Sequence, residues 1–277
     1  MPSGTVLVTG ASTGIGEATV LHLRQLGFDP IAAVRKDQDA ERLEGQGVRT
    51  TRIDVTDADQ IAAAREAFRD EPLAGLVNNA GIAVAAPLEF LPIDRLRQQL
   101  EINLIGQAAV TQAFLPALRR SRGRIVNVSS IGGRVGLPLV GAYNASKFGL
   151  EGLSDSLRRE LRPQGVDVIL IEPGGVKTPI WNKAEHLADE MLAEGVPAEA
   201  ERLYGPLIEA VRKNTQRIAR DSGIEPSAVA EVIGTALTAS RPRARYLVGN
   251  DAKQRAVMSK LLPARVMDRL IGRALGG

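Results

Sequence analysis

The chain has 277 residues, no cysteine and a formal net charge of only +3, which excludes disulfides, thiolate nucleophiles and cysteine-based metal sites. Aromatic residues make up 3% of the sequence, so base stacking is poorly supported and we expect no nucleic-acid partner. The two histidines, His22 and His186, do not form a metal-ligating pair, and we predict no metal site. Any catalysis must therefore use a tyrosine, lysine, serine or carboxylate, or a bound cofactor.

Short apolar runs alternate with helical patterns through most of the chain. The apolar runs cover residues 5–9, 30–34, 48–53, 75–78, 124–128, 166–171 and 245–248; the helical patterns cover 15–26, 58–69, 93–119, 144–161 and 226–239. This alternation predicts one α/β domain over residues 1–277, a doubly wound, seven-stranded parallel sheet with helices on both faces. The chain opens without a basic leader, and no run approaches about 18 apolar residues, so we expect a cytosolic protein.

A glycine-rich turn joins the first strand to the first helix, and it reads Thr9-Gly10-Ala11-Ser12-Thr13-Gly14-Ile15-Gly16. Glycines allow a tight bend and a close backbone approach, while the free N–H groups of the helix N-terminus suit a pyrophosphate. The predicted cofactor contacts are Gly10, Ser12, Thr13, Gly14, Ile15 and Gly16. Gly-x-Ser-x-Gly is also the nucleophile-elbow pattern, but hydrolysis is the weaker interpretation because only two histidines could act as the base.

Two bases, Arg35 and Lys36, follow the second strand, where a dinucleotide would place its adenosine ribose. A guanidinium can bind a 2′-phosphate in a bidentate manner, whereas an acid at this point would bind the 2′-hydroxyl of NAD. The sequence therefore favours NADP(H) over NAD(H). Asp37 is the reservation, since a shift of two residues would bring an acid into this position.

A tyrosine and a lysine, Tyr143 and Lys147, stand four residues apart at the start of a helix, so both project from one face. A nearby cation stabilises a phenolate, and a tyrosine tuned in this way can exchange a proton with a carbonyl or an alcohol. Ser129 and Ser130 follow the fifth strand, where open α/β sheets bind ligands. Asn103 lies inside a long predicted helix, where asparagine is disfavoured, so we expect it to have a specific role there.

Two stretches break the alternation. Residues 178–225 are charged and helix-prone without a strand, which suggests either a helical substrate lid or a peripheral insertion. The tail 251–277 is amphipathic, and its six bases and two acids give it a net charge of +4. Such a helix can lie on a membrane surface, but packing against the body or a partner subunit is the favoured interpretation.

Taken together, these motifs resemble those of the short-chain dehydrogenase/reductase family. The matching stretches are the turn 9–16, Asn78-Asn79-Ala80-Gly81, Tyr143-x-x-x-Lys147 and Pro173-Gly174-Gly175-Val176-Lys177-Thr178. The resemblance implies a Rossmann fold, with Tyr143 as general acid/base and Lys147 lowering its pKa while binding the nicotinamide ribose. It also implies that Ser130 orients the substrate carbonyl and that Asn103 helps a water relay protons to Lys147. The further cofactor contacts that it implies are Asp54, Val55, Asn79, Ala80, Gly81, Pro173, Gly174, Val176 and Thr178.

Within this family, the long 178–225 segment and the tail resemble the hydroxysteroid and retinol dehydrogenase branch. This implies an apolar ketone or alcohol, steroid-, retinoid- or lipid-like, and a homodimer or homotetramer formed through the long helices around Asn103 and Leu150. Candidate residues of an apolar pocket are Leu137, Leu139, Val140, Ile180, Trp181, Leu187 and Met191. A 3-oxoacyl-type reductase and a non-catalytic dinucleotide sensor or scaffold are the alternatives.

Overall fold

The computed structural model describes residues 3–193 and 198–275, and its described strands form one parallel sheet. The strands are β1 Thr5–Thr9, β2 Asp29–Val34, β3 Arg49–Arg52, β4 Leu73–Asn78, β5 Arg124–Val128, β6 Asp167–Pro173 and β7 Arg245–Val248. Their order in the sheet is β3-β2-β1-β4-β5-β6-β7. The prediction of a doubly wound, seven-stranded sheet is confirmed, with strand ends displaced by one or two residues.

Eleven α-helices are described, with bounds α1 Gly14–Gln25, α2 Asp37–Glu44, α3 Ala58–Ala67, α4 Ile93–Leu100, α5 Gly106–Ser121, α6 Gly141–Leu161, α7 Ile180–Ala193, α8 Ala198–Arg217, α9 Pro226–Thr238, α10 Asn250–Leu261 and α11 Ala264–Ala274. The helical segment predicted over 93–119 is found, and within it a π-helical turn, Glu101–Ile105, separates α4 from α5. Helix α2 was not predicted, since Leu43 is the one buried residue within its span and gives no period.

The central strands are buried on both faces, which explains their uniformly apolar sequence. On β1, Val6 and Val8 join the core formed with α1 and α9, whereas Leu7 joins the core formed with α3 and α5. Side chains alternate along a strand, so consecutive apolar residues fill two separate cores. The sheet is thereby held rigidly, and its carboxyl edge is fixed in place.

The segment 178–225 begins and ends at the same point of the fold. Val176 and Ile224 form an isolated parallel bridge; the Ile224 N–H donates to the Gly175 carbonyl and the Lys177 N–H to the Ile224 carbonyl, both at 2.9 Å. Between these ends lie α7 and α8, and the Tyr204 hydroxyl of α8 donates to Glu89 at 2.9 Å. The segment is therefore anchored at its base and also to the loop after β4.

The tail forms two helices rather than the one amphipathic helix predicted. Helix α10 buries Ala252 and Ala256, but no residue of α11, which is described along its whole length, is buried. Packing against the body therefore holds for α10 and not for α11. No helix within residues 3–193 and 198–275 is long and apolar enough to cross a membrane.

Candidate active site

A cleft of about 450 Å³ opens at the carboxyl edge of the sheet, where the strand order reverses between β1 and β4. All of the predicted site residues except Gly16 line it, and they come from distant parts of the chain. The predicted residues in its lining are Gly10, Ser12, Thr13, Gly14, Ile15, Arg35, Asp54, Val55, Asn79, Ala80, Gly81, Asn103, Ser130, Tyr143, Lys147, Pro173, Gly174, Val176 and Thr178.

The glycines of the first turn are required by close backbone approach. A Cβ on Gly10, which has φ +63°, would lie 2.7 Å from the Ala80 Cα, and a Cβ on Gly16 would lie 2.2 Å from the Gly10 carbonyl oxygen. Gly16 thus supports the turn from beneath instead of lining the cleft, which explains its absence from the lining. The turn leaves a bare backbone cradle at the N-terminus of α1, which fits a pyrophosphate.

The ends of β1 and β4 are joined by polar contacts that hold this cradle. The Thr9 hydroxyl accepts from the N–H groups of Asn79 and Ala80 at 3.0 and 3.1 Å, while Asn79 Nδ2 donates to the Thr9 and Gly10 carbonyls at 3.0 and 3.1 Å. Gln107 Nε2 of α5 donates to the Ala80 carbonyl at 2.8 Å. The Asn-Asn-Ala-Gly motif therefore fixes the shape of the cofactor side of the cleft.

Arg35 projects from the end of β2, and its side chain is 63% exposed. Its Nη1 lies 3.6 Å from Asp54 Oδ2, and this ion pair and two hydrogen bonds from Thr56 lower the pKa of Asp54 despite its burial. Asp37 pairs instead with Arg52, at 3.1 Å, as α2 begins. Arg35 is therefore the charged residue of this strand end that reaches the cleft.

Tyr143 lies in the first turn of α6, half-buried, and its ring and the Ser130 hydroxyl both lie beside Gly132. Burial raises the pKa of Tyr143, and the Ser130 hydroxyl opposes that rise. Ser130 itself accepts from the Gly132 N–H at 3.0 Å, which fixes the serine. A Cβ on Gly132 would lie 3.2 Å from Tyr143 Cε1, so a glycine there makes room for the phenol.

Lys147 is buried one turn after Tyr143, and its Nζ donates to the Val128 carbonyl at 2.8 Å and lies 5.8 Å from the centroid of the Tyr143 ring. Burial lowers the pKa of Lys147 to about 8, and the nearby Glu151 carboxylate opposes this. Burial is the largest influence on the pKa of Tyr143 here, and the expectation that Lys147 lowers that pKa stays a prediction.

Asn103 is buried within the π-helical turn, which gives the reason for an asparagine in this helix. Its Oδ1 accepts from the Ile82 N–H, and its Nδ2 donates to the Ile82 carbonyl, both at 2.9 Å. Nδ2 also lies 3.3 Å from the Ser146 hydroxyl. The side chain thus clamps the backbone after β4 to α6, and the predicted water relay to Lys147 stays a prediction.

The stretch after β6 is held by α10. The Gly174 N–H donates to the Val248 carbonyl at 2.9 Å, and the Gly175 N–H donates to Asp251 Oδ2 at 2.8 Å. Asp251 lies so close that a Cβ on Gly174 would stand 2.1 Å from Oδ1. Trp181 Nε1 then donates to the Val176 carbonyl at 2.9 Å, which anchors the start of α7 over the cleft.

A second, smaller cavity of about 110 Å³ adjoins the cleft and shares Ala83 and Trp181 with it. Apolar side chains dominate its lining, and they include Ala86, Phe90, Leu139, Val140, Ala184, Ala188, Ile208 and Val211. Of the predicted pocket residues, Ile180 and Leu187 line the main cleft, Leu139 and Val140 line the second cavity, and Trp181 lines both. Leu137 lines neither cavity in the described part of the chain, and the Met191 side chain lies outside the description.

Three polar residues of α7 also line the main cleft and were not predicted: Lys183, His186 and Glu190. Their spacing of three and four residues is the signal that could have identified them, because such residues share one helix face.

Comparison with known proteins gives a consistent result. Residues 4–188 match the family described as short chain dehydrogenase. A 3-amino-tetrahydro-pyrrolizinone reductase of Xenorhabdus hominickii is 37% identical over 97% of this chain and 94% of the relative, and human retinol dehydrogenase 16 is 38% identical over 96% and 87%. A Burkholderia cenocepacia short chain dehydrogenase solved with NADP superposes with a TM-score of 0.76, at 26% identity and with 97% of each chain covered.

Proposed function

Because the chain belongs to the short-chain dehydrogenase/reductase family and is an NAD(P)-dependent oxidoreductase, we propose that it uses NADP(H) and interconverts an apolar ketone and its alcohol. One observation carries this proposal: Tyr143 and Ser130 line the same part of a cleft that adjoins an apolar cavity. A carbonyl held by their hydroxyls has space beside it for an apolar body.

In the proposed mechanism, the Ser130 and Tyr143 hydroxyls donate hydrogen bonds to the carbonyl oxygen and stabilise the negative charge that develops there. Tyr143 then transfers its phenolic proton to that oxygen, or removes a proton from the hydroxyl in the reverse direction. The protonated Lys147 stabilises the resulting phenolate, and the Val128 carbonyl fixes its Nζ. A bound nicotinamide supplies or accepts the hydride.

The chain's own residues fit the dinucleotide. The bare cradle around Gly10, Gly14 and Gly16 would hold the pyrophosphate, and Asp54 and Val55 line the adenine side. Arg35, which is largely exposed and held by one ion pair at 3.6 Å, is free to turn toward a 2′-phosphate. The structural neighbour that was solved with NADP supports binding of a dinucleotide in this cleft.

The substrate class is supported by the second cavity, whose apolar lining favours a hydrocarbon body over a charged one. The name of one relative, a retinol dehydrogenase, agrees with an apolar substrate, whereas the other relative is named for an amino-substituted pyrrolizinone. The helices α7 and α8 carry most of this lining and act as the substrate lid in our proposal.

The experiment is a panel of ketones and alcohols assayed at the nicotinamide absorbance with both cofactors. The panel pairs a steroid ketone, retinal and an aliphatic 2-ketone with a 3-oxoacyl thioester and a small charged keto acid. We expect turnover of the apolar members with NADPH. Preference for the thioester would indicate the 3-oxoacyl-type alternative, and cofactor binding without turnover of any member would indicate a sensor or scaffold.

A homodimer or homotetramer and a cytosolic location stay predictions. The exposed apolar side chains of Ile105, Phe148 and Leu153 lie on the long helices that were predicted to associate, and they support the oligomer. A particle mass in solution equal to the monomer's 29.5 kDa would contradict it.

A further inference from the structure

A cluster of buried and partly buried charged groups joins α6 to β6 and β7, and its members do not line the cleft. Glu172 at the end of β6 is fully buried, and its Oε1 lies 2.7 Å from Arg134 Nη2 and 3.2 Å from Arg245 Nε. Arg245 of β7 also contacts Glu151 Oε2 at 3.0 Å and Asp155 Oδ1 at 2.7 Å. The proposed roles of Tyr143 and Lys147 give no part to these groups.

Three atoms of this region are buried without a hydrogen-bond partner in the described part of the chain: Ser129 Oγ, Glu151 Oε1 and Glu172 Oε2. A Cβ on Gly133 would lie 3.0 Å from Ser129 Oγ and 3.1 Å from both Glu151 Cγ and the Lys147 carbonyl oxygen. Gly133 therefore brings Ser129 and Glu151 together against the backbone of Lys147. Unpaired buried oxygens are costly, so their concentration at one place invites an explanation.

Stability alone does not explain the cluster. Burying two carboxylates costs more solvation energy than their ion pairs restore, and apolar residues of similar size often give an equally stable fold. Glu151 stands four residues after Lys147 on α6, on the same helix face, and it is also buried. The Glu151 carboxylate, with Oε1 unpaired, is thus held on the turn of α6 that follows Lys147.

We propose that Glu151 is a positioning residue whose carboxylate, held by Arg245, keeps the buried Lys147 ammonium charged for the reaction. The proposal rests on the catalytic role of Lys147 given above. It adds Glu151 and Arg245 of β7 to the residues that support catalysis, although neither lines the cleft.

The direction of the electrostatic effect is fixed by the surroundings of Lys147. Burial lowers its pKa to about 8, and Glu151 raises it, so loss of the Glu151 charge lowers the pKa of Lys147 further. Burial, together with the charge of Glu151, raises the pKa of Glu172, and the Arg134 and Arg245 guanidinium groups oppose that rise.

The other elements packed around this site contribute the following charged or polar groups: Tyr143 and Asp155 from α6, Arg134 from the turn after β5, Glu172 from β6, Arg245 from β7, Asp251 from α10 and the neutral Asn103 from the π-helical turn. Arg134 and Arg245 are cationic and oppose the charge on Lys147. Asp251 is engaged with the Gly175 N–H. Glu151 is therefore the carboxylate best placed to offset burial of the ammonium.

The test compares Glu151→Gln with the wild type in the holoenzyme, by the pH dependence of kcat/KM for ketone reduction with saturating NADPH. We expect the limb at high pH, where Lys147 loses its proton, to move to lower pH by about one unit. Glu151→Asp keeps the negative charge, so its high-pH limb should lie close to that of the wild type. Glu160→Gln makes the same chemical change on an exposed residue of α6 and should leave the profile unchanged.

Glu172→Gln separates the two buried carboxyls, because it removes the charge on β6 and leaves the Glu151 carboxylate, which shares a face of α6 with Lys147. The high-pH limb of the kcat/KM profile of Glu172→Gln should coincide with that of the wild type. A shift as large as that of Glu151→Gln would overturn the proposal, and so would an unmoved limb in Glu151→Gln. This second variant keeps the proposal testable if Glu151→Gln does not fold.

A direct readout does not depend on activity. The ¹⁵Nζ resonance of Lys147, identified by its loss in Lys147→Met, reports the charge of the ammonium as pH rises. We expect its titration to move to lower pH in Glu151→Gln. If Tyr143→Phe abolishes turnover but the Lys147 titration in Glu151→Gln matches the wild type, the catalytic roles of Tyr143 and Lys147 stand and only the role of Glu151 fails. If Tyr143→Phe retains turnover, the catalytic role itself fails.

Discussion

The two halves of the cleft are built on opposite physical principles. On the β1 side the working surface is bare backbone, and Gly10, Gly14 and Gly16 matter for the atoms that they lack. On the β5 and β6 side the working groups are the side chains of Tyr143 and Lys147, and burial is the largest influence on the pKa of each. We therefore expect the first half to be most sensitive to added volume and the second to the loss of a titratable group.

The largest expected effect comes from removing one oxygen on the side-chain half. Tyr143→Phe should lower turnover by about a hundredfold to ten-thousandfold, because the phenolic proton is lost while the ring still fills its space. Affinity for NADPH, measured by its fluorescence, should be retained. Turnover at the wild-type rate would contradict the role of Tyr143, and loss of cofactor binding would show that the two halves are not separable.

A smaller effect, of steric origin, is expected on the backbone half. Gly10→Ala should destabilise the protein by about 1–3 kcal/mol, because the residue has φ +63° and the new Cβ would meet the Ala80 backbone. Affinity for both NADPH and NADH should fall with it. Gly152→Ala is the matched control, since nothing lies within 4 Å of that Cβ and a helical alanine should stabilise by about 0.5–1 kcal/mol. Equal melting temperatures for the two variants would contradict the steric account.

The smallest effect should be selective for one cofactor. Arg35→Ala should weaken NADPH by about tenfold to a hundredfold, the usual contribution of a charge-assisted hydrogen bond, and leave NADH nearly unchanged. Arg52→Ala removes a similarly exposed arginine at the end of the neighbouring strand, outside the cleft lining, and should change neither affinity. Equal weakening of both cofactors in Arg35→Ala would remove the 2′-phosphate argument.

The same contrast explains what the sequence could predict. The sheet was predictable because strands buried on both faces carry continuous apolar runs such as Val6-Leu7-Val8. The glycine turn was predictable because the backbone atoms packed around Gly10 and Gly16 leave no room for a Cβ. The prediction placed these features correctly from local information alone.

Features that depend on contacts distant in sequence were not predictable. The π-helical turn changes the hydrogen-bond register of the helix and brings Asn103 against Ile82. The spacing of apolar residues in the sequence does not reveal this change. The cluster of Glu151, Glu172 and Arg245 joins residues more than seventy positions apart at its widest, so its charges look like ordinary surface groups in the sequence. The apolar cavity likewise depends on where α7 and α8 lie.

The paired ends of the 178–225 segment have a consequence for the evolution of the fold. Because Val176 and Ile224 lie side by side, the whole segment enters and leaves the body through one narrow neck. Exchanging what lies beyond the neck for a shorter or longer stretch changes the closure entropy by only about 0.6 kcal/mol per doubling of length. Given the lid role that we propose for α7 and α8, exchanging this segment as a unit would change the substrate range and leave the sheet intact.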